Sequence, residues 1–275
     1  MHRSSLAVVL FLAACTSAAA QSAPSRPSFP AAPSFPGAAS MPRASDARAR
    51  AVADRVMDAL GGKEAWDRTR FLRFGFGSER DGKWMGRTHH WDKWTGRYRV
   101  EGQTRDGKPF VTLMNLNTRE GSAWLEGRKL EGEDLKKQLE RGYGMWVNDT
   151  YWLLMPYKMN DPGVNLSYAG EERGDNGSMY DKVQLRFESV GLTPKDTYWV
   201  WVNRDTGMVD RWDYVLAGES VAPTTWQWTG WKKYGDIMLA GERTNAKENG
   251  KLMLPDIAVL ESVPDSVFTL PDPVR

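Results

Sequence analysis

The chain has 275 residues, and its 37 basic and 35 acidic side chains give a formal net charge of +2. Because the two signs are interspersed and form no basic stripe, nucleic acid is not an expected partner. Three histidines and one cysteine are too few for a Cys/His metal site, and no apolar run reaches the ~18–20 residues of a membrane-spanning helix. The sequence therefore predicts no metal and no other cofactor.

Residues 1–20 are typical of an export signal, in which Arg3 supplies a positive charge and an apolar run follows it. The run ends in Leu12-Ala13-Ala14-Cys15. This resembles the lipobox of bacterial lipoproteins, where the signal is cut before a cysteine that becomes lipidated. By that resemblance Cys15 anchors the chain to a membrane, and the threonine after it favours the outer membrane. The alternative is ordinary cleavage after Ala20, which would leave a soluble periplasmic protein.

Residues 21–45 are rich in Pro, Ala and Ser, a composition that cannot bury a core and that stiffens the chain towards polyproline II. They predict a tether, although a disordered leader without a role has the same composition. The folded domain is predicted over residues 46–275. It begins with a helix over Asp46–Leu60, because apolar residues follow helical spacing there and Gly61-Gly62 stops it.

Alternating segments separated by turn residues fill most of the remaining domain and predict antiparallel strands. Asp81-Gly82 and Asn249-Gly250 are typical hairpin turns. A short amphipathic helix is predicted over Glu133–Arg141, where acidic residues come early and basic residues late. The sequence therefore predicts a mostly β domain with a helical insertion in its middle.

The segment Met145–Met159 is the most apolar part of the mature chain, and Pro156 ends any helix within it. Two interpretations are equally open, because short apolar runs are ambiguous. The segment is either a movable lid over the mouth of a cavity or a fixed plug in the core.

Three aromatic pairs follow one another within residues 197–239, each with its rings two positions apart. Alternate side chains of a strand share a face, so the pairs form one wall if all three face the same way, with Arg211 and Asp213 opposite it in solvent. Such a wall either fills a core or lines a cavity, and we favour lining because ligand pockets are mostly apolar and aromatic. The candidate ligand-binding residues are Trp199, Trp201, Trp212, Tyr214, Trp226 and Trp228, together with Trp152 and Tyr157 from the apolar segment.

This order of elements resembles the LolA/LolB-type lipoprotein-carrier superfamily. Three features carry the likeness: the opening helix that runs through Leu60-Gly61-Gly62 into an aromatic strand, the apolar insertion in mid-chain, and the ending Val263-Pro264-Asp265-Ser266-Val267-Phe268-Thr269-Leu270-Pro271. Within that group the chain is most similar to uncharacterised exported bacterial proteins with a Trp-rich meander. The resemblance implies an α+β, mostly β fold, in which a long antiparallel sheet curls into a half-barrel around the N-terminal helix and the mid-chain insertion. It also implies an apolar concave face that holds acyl chains. No motif identifies the arginine that helps to close the cavity in the carriers.

His89 and His90 are the candidate catalytic residues. Adjacent residues of a strand face opposite sides, so the two cannot join one site, and a general base needs a positioned partner such as Asp92 or Glu79. No G-x-S-x-G, H-E-x-x-H or P-loop motif is present.

The predicted function is that of a cell-envelope lipoprotein on the outer membrane, facing the periplasm. It would bind a lipid or other hydrophobic ligand in an aromatic-lined half-barrel, without catalysis. One alternative is an outer-membrane interaction protein that docks an envelope partner through its aromatic surface. Another is an enzyme that uses His89 or His90.

Overall fold

The computed structural model describes residues 46–80, 83–187, 195–216, 222–245, 247 and 250–274. The export signal with Cys15 and the tether lie outside the described residues. So do the turn Asp81-Gly82 and the first residue of the turn Asn249-Gly250. The described helices are α1 (Ala47–Ala59), α2 (Gly62–Arg68), α3 (Gly132–Leu154), a 3₁₀ helix (Met155–Lys158) and α4 (Ser266–Thr269).

Helix α1 confirms the predicted opening helix. Its N-terminus is capped by Asp46, whose side chain accepts a hydrogen bond of 2.7 Å from the backbone N–H of Ala49. The chain turns directly after the helix at Gly61, which has a φ of 111°. A Cβ atom at this position would lie 2.3 Å from the carbonyl oxygen of Asp236, so both the backbone angle and the close approach require glycine.

The strands of the described residues form one antiparallel sheet that does not close into a barrel. Its order is β6-β5-β4-β3-β2-β1-β13-β12-β11-β10-β9-β8-β7, and β14 pairs with β1 beside this path. This open sheet confirms the predicted fold class. The strands are β1 (Phe71–Arg80), β2 (Lys83–Asp92), β3 (Arg97–Gln103), β4 (Pro109–Asn115), β5 (Gly121–Leu125), β6 (Arg128–Lys129), β7 (Val164–Arg173), β8 (Met179–Phe187), β9 (Thr197–Asn203), β10 (Val209–Val215), β11 (Thr224–Tyr234), β12 (Ile237–Asn245), β13 (Gly250–Met253) and β14 (Ala258–Leu260).

Helix α3 is much longer than the predicted helix over Glu133–Arg141. It continues without a break to Leu154, directly before the 3₁₀ helix that contains Pro156. The glycine at position 142 does not end the helix but lies where the helix touches the sheet, because a Cβ there would lie 3.0 Å from the Cγ2 atom of Thr112. Tertiary packing has overridden the low helix propensity of glycine.

The main core lies between the sheet, helix α1 and the end of α3, where Leu153 and Leu154 belong to the same apolar cluster as the buried residues of α1. Met145, earlier on α3, belongs to a second cluster with residues of β3 and β4. The C-terminal segment packs elsewhere, with Val267 and Phe268 against Phe71. Arg99 binds this segment, since its guanidinium donates to the carbonyl oxygens of Val267, Leu270 and Asp272 at 3.2, 2.8 and 2.7 Å. The tail is therefore fastened by hydrogen bonds as well as by apolar contact.

Candidate functional site

One aromatic layer spans three neighbouring strands. Tyr198 of β9 is paired with Tyr214 of β10, and Trp212 of β10 is paired with Trp226 of β11. Cross-strand partners share a face of the sheet, and Trp228 shares this face because it lies two residues after Trp226. We call this layer the aromatic wall; its members are Tyr198, Trp212, Tyr214, Trp226 and Trp228.

Trp199 and Trp201 lie on the opposite face, so the expectation that all three pairs form one wall is wrong. The strand register pairs Trp199 with Asp213 and Trp201 with Arg211. A shift of one residue in register moves a whole set of side chains to the other face, and the spacing of aromatics within each strand does not reveal that register. A ligand contact of these two rings remains a prediction, but it would occur on a different surface.

That opposite face is also less solvated than expected. Asp213 is only 3% exposed. Its carboxylate accepts hydrogen bonds from the indole N–H of Trp201 at 2.9 Å, from the Arg211 guanidinium at 2.8 Å and from the Thr225 hydroxyl at 2.7 Å. Trp201 is thus held by a polar network.

The end of α3 covers the aromatic wall. Trp152 meets Trp212 and Trp226 edge-on, with ring centroids 4.6 and 5.2 Å apart, and Tyr151 lies 5.8 Å from Trp212. Trp212 and Trp228 are each 1% exposed, whereas Tyr151, Trp152 and Trp226 are half-buried. The wall is therefore closed at its centre and accessible at its edge, next to Trp152.

Two surface clefts lie in the described part of the chain. One, of about 240 Å³, is bordered by Pro223, Thr225 and Thr244. The other, of about 350 Å³, is bordered by Arg87 and Glu101. Neither cleft is lined by a residue of the aromatic wall.

The chain beyond this edge is firmly packed. Residues 153–155 are at most 2% exposed. The hydroxyl of Tyr157 lies 2.9 Å from the carbonyl oxygen of Leu60 and 2.8 Å from that of Met238, and burial raises the pKa of this hydroxyl. Tyr157 thus joins three segments of the fold, and its predicted contact with a ligand stays a prediction.

Arg243 is a fully buried arginine beside the wall. Its guanidinium carbon lies 3.5 Å from the centroid of Trp228. The guanidinium donates to the carbonyl oxygens of Ala240 and Glu242 at 3.1 and 2.8 Å and, across to α3, to that of Trp152 at 2.6 Å. No carboxylate of the described residues contacts it, and burial lowers the pKa of Arg243 well below the ordinary arginine value.

Several buried polar atoms around the wall have no hydrogen-bond partner among the described residues. Buried polar groups nearly always have one, and an unsatisfied group costs about 1–3 kcal/mol. Trp231 belongs to the same region, because its ring lies 6.1 Å from that of Trp228. The atoms are the indole nitrogens of Trp212, Trp226, Trp228 and Trp231, the Nε atom of Arg243 and the hydroxyl of Tyr151.

A group of polar side chains contacts α3 at Asp149, one turn before Trp152. Asp149 is 0% exposed and accepts two hydrogen bonds, of 2.5 and 2.6 Å, from the guanidinium of Arg87. The Nε2 atom of His89 lies 2.9 Å from the Asp149 carboxylate, and its Nδ1 atom lies 2.7 Å from the Tyr98 hydroxyl. The four side chains form one chain of polar contacts between the sheet and the helix.

Burial determines the ionisation in this group. It lowers the pKa of His89 below the ordinary histidine value, although the nearby carboxylate acts in the opposite direction. Burial alone would raise the pKa of Asp149, but the charge of Arg87 and the contact with His89 outweigh it, so that the pKa lies below its ordinary value. The group therefore holds a neutral imidazole beside an ionised pair.

The two histidines face opposite sides of β2, as expected, because His90 is paired with Arg99 of β3 and is only 4% exposed. Asp92, expected as a partner for one of them, instead binds Arg70 and Arg97. The actual partner of His89 lies on α3, where adjacency in sequence could not reveal it. This histidine has a carboxylate beside it but is 0% exposed, so it does not lie in an open cleft.

None of the helices formed by the described residues combines the length and the apolar composition of a membrane-spanning segment. The same residues contain no group of three or more side chains arranged to hold a metal ion. No protein-family model and no curated protein matches the chain.

Three solved structures are similar to the chain. A DUF1329 family protein from Desulfovibrio piger is 14% identical with a TM-score of 0.44, over 80% of this chain and 96% of that one. The Mycobacterium tuberculosis lipoprotein LppX is 13% identical with a TM-score of 0.30, over 78% and 98%. The Pseudomonas aeruginosa MucA/MucB complex is 14% identical with a TM-score of 0.24, over 78% and 60%. None of the three assigns an activity to the chain.

Proposed function

We propose that the protein is a cell-envelope lipoprotein that binds a lipid or other hydrophobic ligand at the aromatic wall and catalyses no reaction. The observation that carries the proposal is the layer itself. Five rings lie under two rings of a helix end, at a place where buried donors lack partners. Pockets for small molecules are mostly apolar and aromatic with a few polar groups, and this layer has that composition.

An acyl chain can replace the covering rings at small energetic cost. Burial of apolar area contributes ~25 cal/mol per Å² whichever group supplies the contact. Exchanging the contact of Trp152 for that of a hydrocarbon chain therefore changes the apolar term little. Any buried donor that gains a partner then favours the bound state.

The moving part in this proposal is a pair of side chains. Tyr151 and Trp152 are half-buried, whereas residues 153–155 are core. Rotation of the two rings would open the edge of the wall while the backbone remains packed. The proposal thus divides Met145–Met159 between the two earlier interpretations, with a gate of two rings on a fixed plug.

The alternatives have less support. The wall is covered, so it offers little aromatic surface to an envelope partner. Both imidazoles of the described histidines are buried, which supports a binding role over an enzymatic one.

Native mass spectrometry of the full-length protein, extracted from the membranes of the cells that express it, tests the proposal. A bound lipid is expected, as is saturable uptake of cis-parinaric acid, a fluorescent fatty acid. Trp152→Ala should weaken the uptake. Trp94→Ala is the matched control, because this indole is 59% exposed and lies outside the wall. Protein without bound lipid and without saturable uptake would contradict the proposal.

The anchor has its own test. Cys15→Ser should leave the protein unlipidated and move it from the membrane fraction to the soluble periplasmic fraction. A mature wild-type protein that begins at an unmodified Gln21 would show ordinary cleavage instead.

A further inference from the structure

The polar atoms around the wall define the ligand more narrowly than its rings do. Resting on the proposed function, we infer that the ligand is an amphiphile with an anionic head, a carboxylate or a phosphate. Arg243 binds this head, while the hydrocarbon chain lies against the aromatic wall.

The unpartnered atoms are donors. An indole N–H can only donate a hydrogen bond, and so can the Nε–H of an arginine; of this set, only the hydroxyl of Tyr151 can also accept. Four indoles and Arg243 carry such donors, and their rings and guanidinium lie in or beside the aromatic wall. A ligand that satisfies them must carry acceptors. A plain hydrocarbon would leave each of them as unpaired as it is in the covered state.

Arg243 adds the preference for a negative charge. Arginine is almost never fully buried unless it is paired, and it remains protonated in proteins. The chain has a second fully buried arginine for comparison, Arg99, which forms an ion pair with Glu101 as well as its bonds to the tail. Arg243 has only carbonyl oxygens and the face of Trp228. The missing element is a carboxylate or an equivalent anion.

The position of Arg243 fits such an exchange. Its bond to the carbonyl oxygen of Trp152 reaches the same residue whose ring covers Trp212 and Trp226. Rotation of the Trp152 ring would uncover Trp212 and Trp226 beside a guanidinium whose Nε–H has no partner among the described residues. A carboxylate or phosphate forms shorter, charge-assisted hydrogen bonds with a guanidinium, often two in parallel. The unpartnered Nε–H of Arg243 would supply one of these bonds.

Cis-parinaric acid and its methyl ester test the inference, because they share one chain and differ only in the charge of the head. At about pH 8 the acid is ionised. The wild-type full-length protein is expected to bind it at least about tenfold more tightly than the ester, since charge-assisted hydrogen bonds are about twice as strong as neutral ones. Arg243→Met should reduce this ratio below about twofold, because an apolar side chain of similar length tolerates the buried site but offers no hydrogen-bond donor.

Two further variants keep the test decisive if Arg243→Met does not fold. Trp228→Phe retains a ring above Arg243 but removes one indole donor, so it should weaken binding of the acid more than binding of the ester. Arg99→Met removes another fully buried arginine and should leave the ratio at the wild-type value. A ratio that collapses in the folded Arg99→Met protein as well would overturn the inference.

The remaining outcomes separate the inference from the proposed function. Equal, saturable binding of acid and ester by the wild type would contradict the inference of an anionic head group. It would still agree with the proposed binding of a hydrophobic ligand. Saturable binding of neither probe would overturn both. Inorganic phosphate and acetate alone should not displace the acid; if either does so without a chain, the site is one for free anions and the amphiphile is overturned.

Discussion

Two successive turns of helix α3 meet the sheet in opposite ways. At Asp149, each charged group faces a partner, and the contact joins the helix to β2 through Arg87 and His89. Three residues later, at Trp152, the helix meets the aromatic wall edge-on, and the surrounding indoles have no partner among the described residues. The first turn is held by a buried ion pair and the second by ring contacts.

The difference indicates a division of roles along one helix. A buried ion pair is costly to break from either side, so the turn at Asp149 fixes the position of the helix. Ring contacts without hydrogen bonds can be replaced by another apolar group, so the turn at Trp152 is the place where a ligand can compete. The ion pair keeps α3 on the sheet, while the ring contacts at Trp152 can be exchanged for contacts with a ligand.

Asp149→Asn tests the turn that fixes the helix, and it should lower the free energy of unfolding strongly. It removes the buried charge opposite Arg87, whose side chain is only 19% exposed, and breaking such a pair costs about 3–5 kcal/mol of unfolding free energy. Urea unfolding measures this loss. Lys108→Gln is the control, because its pair with Glu126 is exposed and should contribute less than about 1 kcal/mol. Similar losses in the two variants would show that the turn at Asp149 is not the anchor.

Within the wall, the centre and the edge should also differ. Trp212 is 1% exposed, so Trp212→Ala should destabilise the fold by about 3–5 kcal/mol. Trp226 is half-buried at the edge, so Trp226→Ala should cost less than about 2 kcal/mol of unfolding free energy but weaken uptake of cis-parinaric acid markedly. Thermal unfolding and probe titration together check this. If both variants lose several kcal/mol and their folded fraction binds the probe like wild type, the rings are core and the ligand must bind elsewhere.

The buried histidines should make the fold sensitive to mild acid, with a smaller effect. Burial lowers the pKa of His89 below its ordinary value of 6.5, and burial together with the charges of Arg99 and Arg73 lowers that of His90 to about 4. Between about pH 6.5 and 4 the unfolded chain therefore binds more protons than the folded one. The stability that these groups provide is complete above about pH 6.5, and it is lost as the pH falls, by up to about 1.4 kcal/mol per pH unit for each histidine.

Urea unfolding at several pH values measures this slope, and His90→Gln should reduce it without changing the slope above about pH 6.5. Asp149 contributes only at lower pH, since the pKa of this carboxyl lies below its ordinary value of 3.8 in the fold. A wild-type free energy of unfolding that stays constant between about pH 6.5 and 4 would contradict this account of both imidazoles.

The sequence predicts the secondary-structure elements of this fold better than the contacts between them. Helix α1 follows from its apolar spacing and its cap, and the antiparallel strands follow from alternation and turns. The length of α3 does not, because Gly142 lies at a close contact with the sheet that only the tertiary fold creates. Local propensity could not show that this glycine faces Thr112.

The candidate site, too, is only partly predictable from the sequence. Alternation within a strand identifies Trp212 with Tyr214 and Trp226 with Trp228, but it cannot place Trp199 and Trp201, because their face depends on the register between strands. The sequence does not identify Asp149 and Arg243 either, for a related reason. Each acquires its meaning from a partner on a distant element, and neither lies in a motif.

The most direct test of the central claim is photolabelling of the full-length protein with a fatty acid that carries a diazirine on its chain, followed by peptide mapping. The account predicts saturable labelling at Trp152 and at Trp226 or Trp228, which excess unlabelled fatty acid suppresses. Labelling confined to the opposite face of the sheet, around Trp199 and Trp201, would contradict it, and so would labelling that excess fatty acid leaves unchanged.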